Sequence, residues 1–339
     1  MIRSQRQTTM GNHSKMLRTD ISNEAYHALD DLNRSKAWDL TNRTPLHVQQ
    51  SMRHKPVSTP ALLMGGCFHT AVLEPEKLEY EYGELPTEID GKSPLTKHYK
   101  EKIAELKADY PERRWLNAKD YNTCMEMSAS ALDNPVLRDY MGDIDAMIEA
   151  TGLFAMEGAD CRIRPDWFSP GAEVVIDLKS TMDASKRGFA KSVRQFGYGF
   201  QAYFYMQGLR RCGYSPKEFI FIAVEKFPPY ASAAYRLPAG EINKHADSMR
   251  KACKLWTTCK SSGVWPGYSD DVETLDVSNS YNAKSIADIA RMFNVSRTYV
   301  YKIIEVWKLE TRRMGNKNMV DCQEFEQAIR WDNEGREAA

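Results

Sequence analysis

Apolar and polar positions along this chain of 339 residues change rhythm several times, and each change marks an element. From about residue 20 to 77, and again from about 94 to 142, apolar residues return every three or four positions and predict two helical regions. An irregular stretch rich in Glu and Pro separates them. The rhythm then shortens. Cys161 to Phe168 and Val174 to Lys179 read as strands joined by the turn signal Ser169-Pro170-Gly171, a predicted β-hairpin. Helices resume through Arg211, where Gly213 is a stop signal, and Glu218 to Phe227 and Ala231 to Leu237 follow as strands split by Pro228-Pro229. An amphipathic helix then runs through Lys260. This order predicts an α/β fold with helices flanking a mixed central sheet.

Ser, Gly, Asp and Asn dominate residues 263–282, a predicted linker, and the segment beyond it has its own pattern. Ile286, Ile289, Ala290, Phe293, Val295, Val300 and Ile303 have the apolar spacing of a helix-turn-helix. Ser285 and Ser296 are its N-caps, and Asn294, tolerant of left-handed backbone, stands at the turn. Arg312, Arg313, Gly315, Asn316 and Lys317 suit a wing, and Asp321 with Glu324 opens a last helix. The segment resembles a small winged-helix or excisionase-like domain. The domain plan is thus a flexible tail over 1–18, a main domain over 19–262, the linker, and a helical DNA-binding module over 283–339. Between Lys284 and Lys317 eight residues are basic and three acidic. That excess, with Arg297, Thr298, Tyr299 and Lys302 on the second helix and Arg312, Arg313 and Lys317 in the wing, suits phosphate and groove contacts. The alternative is a helical hairpin that only packs on the main domain or on another subunit.

Candidate chemistry lies in the predicted hairpin. Side chains alternate faces along a strand, so Asp177 and Lys179 project together while Ile176 and Leu178 point into the core. With Gly171 and Ala172 at the turn, Asp166 stands directly across from Asp177. Two carboxylates then share one hard cation, and a lysine beside them supplies the positive charge that orients an attacking water, a set suited to cutting phosphodiesters. An isolated D-x-K tripeptide is most simply a surface salt bridge. Gln201 and Tyr205, four apart on a predicted helix, share a face and would otherwise be ordinary packing residues. His69 follows Gly65-Gly66 on an apolar stretch, where a lone histidine is more often a core residue than a ligand. Ser180 and Thr181 suit phosphate contact or helix capping equally.

The company of these residues changes their meaning. Asp20-Ile21-Ser22-Asn23-Glu24-x-Tyr26-His27 comes first, then Met64-Gly65-Gly66-x-x-His69-x-x-x-Leu73-Glu74-Pro75-Glu76. Gly158-Ala159-Asp160-Cys161-Arg162-Ile163-Arg164-Pro165-Asp166 follows, then Asp177-Leu178-Lys179-Ser180-Thr181, and last Gln201-Ala202-Tyr203-Phe204-Tyr205. In this order, over roughly residues 20 to 210, they resemble the PD-(D/E)xK nuclease superfamily and, in its RecB-like branch, the RecE-type exonucleases (exodeoxyribonuclease VIII). The resemblance implies a restriction-endonuclease-like core, with Asp166, Asp177 and His69 holding Mg²⁺ and Lys179 catalytic. It places Gln201 and Tyr205 in support beside the lysine and the DNA backbone. An imidazole among carboxylates suits Mn²⁺ as well. The implied activity is digestion of linear double-stranded DNA, 5′ to 3′, leaving 3′ single strands for an annealing protein or recombinase in phage-type recombination. Family members also assemble as ring-shaped homo-oligomers. Two alternatives stand beside this one: an endonuclease of the same superfamily, and a sequence-specific DNA-binding or recombination accessory protein with the nuclease fold as scaffold.

Composition narrows the setting. Forty-six basic and 46 acidic residues cancel, so DNA binding must come from local patches such as Lys186, Arg187, Lys191 and Arg194, a segment that also reads as a solvated helix face. Hydrophobic residues make up 42% and charged residues 27%, ordinary for a globular cytoplasmic protein, and no apolar run predicts a membrane span. Seven scattered cysteines, without a C-x-x-C, predict reduced thiols and no iron-sulfur cluster.

Overall fold

Five short helices open the chain: α1 (Asn23–Ala28), α2 (Arg34–Asn42), α3 (Pro45–Arg53), α4 (Pro60–Leu73) and α5 (Pro75–Glu81). Ser22, Asn33 and Thr59 start three of them by accepting hydrogen bonds from amides three residues on, and Pro60 begins α4 where no amide donor is needed. The computed structural model describes residues 17–53, 59–272 and 283–329, apart from 294, 308, 315, 316, 323 and 327. Residues 1–16, residues 273–282 of the expected linker, Asn294, Gly315 and Asn316 lie outside them. Leu17 and Arg18, expected in the tail, belong to the fold: Leu17 is buried and Arg18 exchanges backbone hydrogen bonds with Thr151.

Next come β1 (Tyr82–Leu85), α6 (Lys97–Asp109), β2 (Arg114–Asn117), α7 (Ala118–Asp133) and α8 (Pro135–Met141). β1 and β2 pair in parallel, so the second predicted helical region contains a strand. Then follow β3 (Met147–Ile148), β4 (Gly152–Met156), β5 (Ala159–Ile163), β6 (Trp167–Ser169), β7 (Val174–Thr181), α9 (Lys186–Gln195) and α10 (Tyr198–Arg211). β8 (Glu218–Glu225), β9 (Ser232–Arg236), α11 (Ala239–Asn243) and α12 (Ala246–Ser262) complete this part. The central sheet has the order β3-β6-β7-β8-β9 and is mixed: β7 and β8 are parallel, the other neighbours antiparallel. A parallel pair needs a crossover, and α9 and α10 supply it.

Both faces of the sheet are covered, which is why β7 reads as a continuous apolar run. One core gathers Val175, Phe189, Phe200, Phe204, Phe221 and Trp256; the other gathers Phe68, Val72, Trp167, Ile176, Leu178 and Ile222. Burial of each such side chain contributes on the order of 2 kcal/mol. The single strand expected over Cys161–Phe168 is two. Pro165 has no N–H for the ladder, so the chain leaves the β4–β5 pair there and re-enters the central sheet at Trp167.

The chain divides after Tyr268 into two units. Residues 263–268 stay with the first, where the Pro266 carbonyl accepts from the Leu46 amide and Trp265 packs on Trp256. The second holds β10 (Ala283–Ser285), α13 (Ile286–Met292), α14 (Arg297–Val306), β11 (Thr311–Met314) and β12 (Lys317–Asp321). Its strands form an antiparallel sheet of order β10-β12-β11 over a core that includes Ile289, Val300, Ile303, Val320 and Phe325. Ser285 and Ser296 cap its helices, and Asp321 Oδ1 accepts from the Glu324 amide at 3.1 Å. All seven cysteines are free and buried. No helix among the described residues is long and apolar enough to cross a membrane.

Candidate active site

Charge interrupts the apolar run of β7 at Asp177, which is 0% exposed. It lies on the same face as Val175, turned toward α10, because side chains alternate along the strand. From α10, Gln201 Nε2 donates to Asp177 Oδ1 at 2.5 Å. Asp177 Oδ2 is ion-paired with Lys179 Nζ and accepts no well-directed hydrogen bond. The Lys179 ammonium also lies 4.9 Å from the Tyr198 ring centroid. A buried pair survives only where each charge is compensated, and here each compensates the other. Burial pulls the Lys179 pKa down, but Asp177 and Asp166 outweigh it and leave it raised, so the ammonium keeps its proton. Burial pushes the Asp177 carboxyl above the ordinary carboxylate range, up to about 6, against the pull of the Lys179 charge.

Asp166 arrives by register. Trp167 pairs with Ile176, which continues to Asp166 opposite Asp177, as a turn centred on Gly171 and Ala172 requires. Its Oδ2 accepts from the Leu178 amide at 2.7 Å and lies 3.5 Å from His69 Nδ1. His69 sits one residue past fully buried Phe68 on α4. Burial and the Lys179 charge lower its pKa to about 4, so the imidazole is neutral and offers a lone pair. Gly66 permits the helix's close approach to β1: a Cβ there would meet the Tyr82 hydroxyl at 2.3 Å. Gly65 meets nothing within 4 Å.

Glu149, which sequence reasoning missed, belongs to this cluster. One donor atom each from His69, Glu149 and Asp166 lie within 4.8 Å of one another, a nitrogen-and-oxygen set that suits a hard divalent cation. Asp177, expected as a ligand beside His69 and Asp166, is outside that trio, and its carboxylate meets Gln201 and Lys179 instead. Glu149 reaches its place through a left-handed backbone, φ +47°, and its amide donates to the Asp166 carbonyl at 3.1 Å. Such a conformation in a non-glycine residue is strained and recurs at functional sites. Burial, then the Asp166 charge, raise the Glu149 pKa to about 9. No motif marked it; a glutamate at a strand end carries no local signal. His69 and Glu149 line a cleft of about 640 Å³ together with Asn23, Gly66, Arg114 and Arg164.

Tyr205 is half-buried on the Gln201 face of α10, and burial holds its hydroxyl pKa well above the ordinary value. It remains a proton donor. Ser180 and Thr181 stay in β7, and Ser185 caps α9 instead. In the second unit Arg297, Thr298, Lys302, Arg313 and Lys317 are exposed; the Arg312 side chain lies outside the described residues. Tyr299 is partly buried and packs against the unit's core beside the inward stripe of Val300 and Ile303, while Tyr301 takes the outward face at 50% exposure.

This fold and site define a PD-(D/E)xK-like domain. Residues 35–278 match the family described as PDDEXK-like domain of unknown function (DUF3799), and the chain belongs to that family. No curated protein matches its sequence. Among solved structures, a provisionally assigned exonuclease from Eubacterium rectale is similar with TM-score 0.53 and 16% identity, over 76% of this chain and 96% of that one. That likeness is one of fold. A phage-related exonuclease from Haemophilus somnus is similar at 14% identity and TM-score 0.30, over 58% of this chain and 95% of that one.

Proposed function

We propose that the protein is a metal-dependent deoxyribonuclease of RecE-like type, digesting linear duplex DNA from its ends in the 5′ to 3′ direction. One observation carries this reading: Asp166, His69 from α4, and Asp177 with Lys179 on β7 converge in one buried cluster, with the His69 pKa lowered to about 4 and that of Asp177 raised to about 6. A scaffold has no use for two buried acids beside a neutral imidazole. His69, Glu149 and Asp166, with Asp177 beside them, would hold a divalent cation, Mg²⁺ or Mn²⁺, which would supply positive charge to the phosphate and acidify a water. The remaining work falls to the chain. Lys179 presents a fixed positive charge where the phosphate's negative charge increases. Asp177 holds that ammonium in place, and Gln201 fixes the plane of Asp177 through its 2.5 Å hydrogen bond. Tyr205, protonated, offers an O–H near the same acids. Release of acid-soluble nucleotide from linear duplex in Mg²⁺ tests the reading.

The second unit supports a DNA-binding role for the same enzyme. Arg297, Thr298, Tyr301 and Lys302 occupy the outward face of α14, and Arg313 and Lys317 lie on the β11–β12 hairpin. Deleting residues 269–339 is expected to leave a folded nuclease whose rate at saturating DNA is retained. Its affinity for DNA falls, and the dependence of affinity on salt flattens, because several phosphate contacts and their counterion release disappear together. Unchanged affinity and salt slope would make the unit structural.

A further inference from the structure

Beside Lys179, on the α10 side, lies a surface that the chemistry above does not use. The Tyr198 ring lies under the Lys179 ammonium and stacks on Phe196 with centroids 5.8 Å apart and an angle of 30°. Phe196, in the turn between α9 and α10, is 47% exposed. One face of the turn is fixed by α2. Arg34 donates to the Phe196 carbonyl and, at 3.1 Å, to the Gly197 carbonyl. Gly197 has φ +64°, and a Cβ there would meet the Trp38 ring at 2.5 Å, so the turn cannot drift from the helix. The Arg34 guanidinium lies over Trp38 at 5.6 Å, has no acid within ion-pairing distance among the described residues, and keeps a buried Nε without a hydrogen-bond partner. Carbonyls orient a guanidinium but do not neutralise it. An exposed ring that continues a stack leading to the catalytic lysine, edged by a guanidinium in contact with carbonyls and no carboxylate among the described residues, matches the two halves of a nucleotide: a base with a π-face and a phosphate.

We propose that Phe196 and Arg34 form a nucleotide subsite next to the catalytic cluster, in which one unpaired nucleobase of the DNA end stacks on Phe196 and a neighbouring phosphate meets Arg34. The subsite rests on the nuclease reading and specifies its substrate as a duplex end that frays by at least one base. Steady-state cleavage by the full chain in Mg²⁺ tests it, using linear duplexes that are intact or abasic at one of the last three nucleotides of either strand. In the wild type, one abasic position is expected to raise KM by about tenfold with little change in kcat. Phe196→Ala should raise KM on the intact duplex by a similar factor and erase the discrimination between intact and abasic ends, since the two changes remove one contact. Phe196→Trp should restore both. Arg34→Gln, which keeps an amide donor for the turn but removes the charge, should raise KM and reduce its salt dependence. An abasic penalty undiminished in Phe196→Ala, or a KM unmoved by that change, would overturn the subsite while leaving the nuclease reading intact. A wild-type protein that cleaves none of these duplexes would overturn both.

Discussion

Asp166→Ala, Asp177→Ala and Lys179→Ala are each expected to reduce cleavage by at least about 10³-fold, an effect of roughly 4 kcal/mol on the barrier. The first removes a cation ligand. The second removes the carboxylate ion-paired with Lys179, and the third removes the fixed charge beside the phosphate. Because Asp177 is wholly buried, its alanine variant also leaves an unpaired ammonium and an unpaired Gln201 amide, so some stability is lost as well. Asp177→Asn separates the two effects. It keeps an acceptor for Gln201 and the shape of the site, and it should abolish cleavage with the fold intact by circular dichroism. Residual activity within tenfold of wild type, about 1.4 kcal/mol, would remove that residue from the catalytic unit.

Chelation should have an effect as large. EDTA is expected to abolish cleavage, Mg²⁺ or Mn²⁺ to restore it, and Ca²⁺ to support DNA binding without turnover because its looser coordination misplaces the water. Cation binding should also depend on pH in a definite direction. Glu149, pushed up to about 9, holds a proton that a bound cation must displace. His69, lowered to about 4, is already neutral above pH 5 and adds nothing to the slope. The raised Glu149 carboxyl therefore weakens binding as pH falls, by up to about tenfold per pH unit for the proton displaced. Mn²⁺ titrations at pH 6.5 and 8.5 should show tightening at the higher pH, and Glu149→Gln should flatten that difference. Equal affinity at both pH values would contradict the assignment of Glu149.

The parts of this site that were legible in sequence are those fixed by local periodicity. Period two put Asp177 and Lys179 on one face of β7, the turn signal set the register that brings Asp166 opposite Asp177, and the four-residue spacing on α10 put Gln201 and Tyr205 together. Glu149 was not legible because its position depends on a left-handed residue and on the return of β6 beside β3, both long-range facts. β1 and β2 escaped for a similar reason: each is four residues long, and a helix separates them, so no turn signal announces the pair. Pro165 did announce the break between β5 and β6: a residue without an N–H cannot continue a ladder, and the single strand expected over Cys161–Phe168 ran across it. Tyr299 and Tyr301 differ only in which side of α14 they occupy, a matter of phase that the apolar stripe of Val300 and Ile303 decides.

On the proposed function, one cluster around β7 hydrolyses phosphodiesters at DNA ends. The measurement that tests it most directly offers the purified protein 5′-labelled duplex DNA, once as a linear molecule and once sealed as a covalently closed circle, in Mg²⁺ and in EDTA. Early release of the 5′ label from the linear form in Mg²⁺, with the circle intact and nothing cleaved in EDTA, is the predicted result. Cleavage of the circle would make the enzyme an endonuclease, and full activity in EDTA, or none on either DNA in Mg²⁺, would contradict the account.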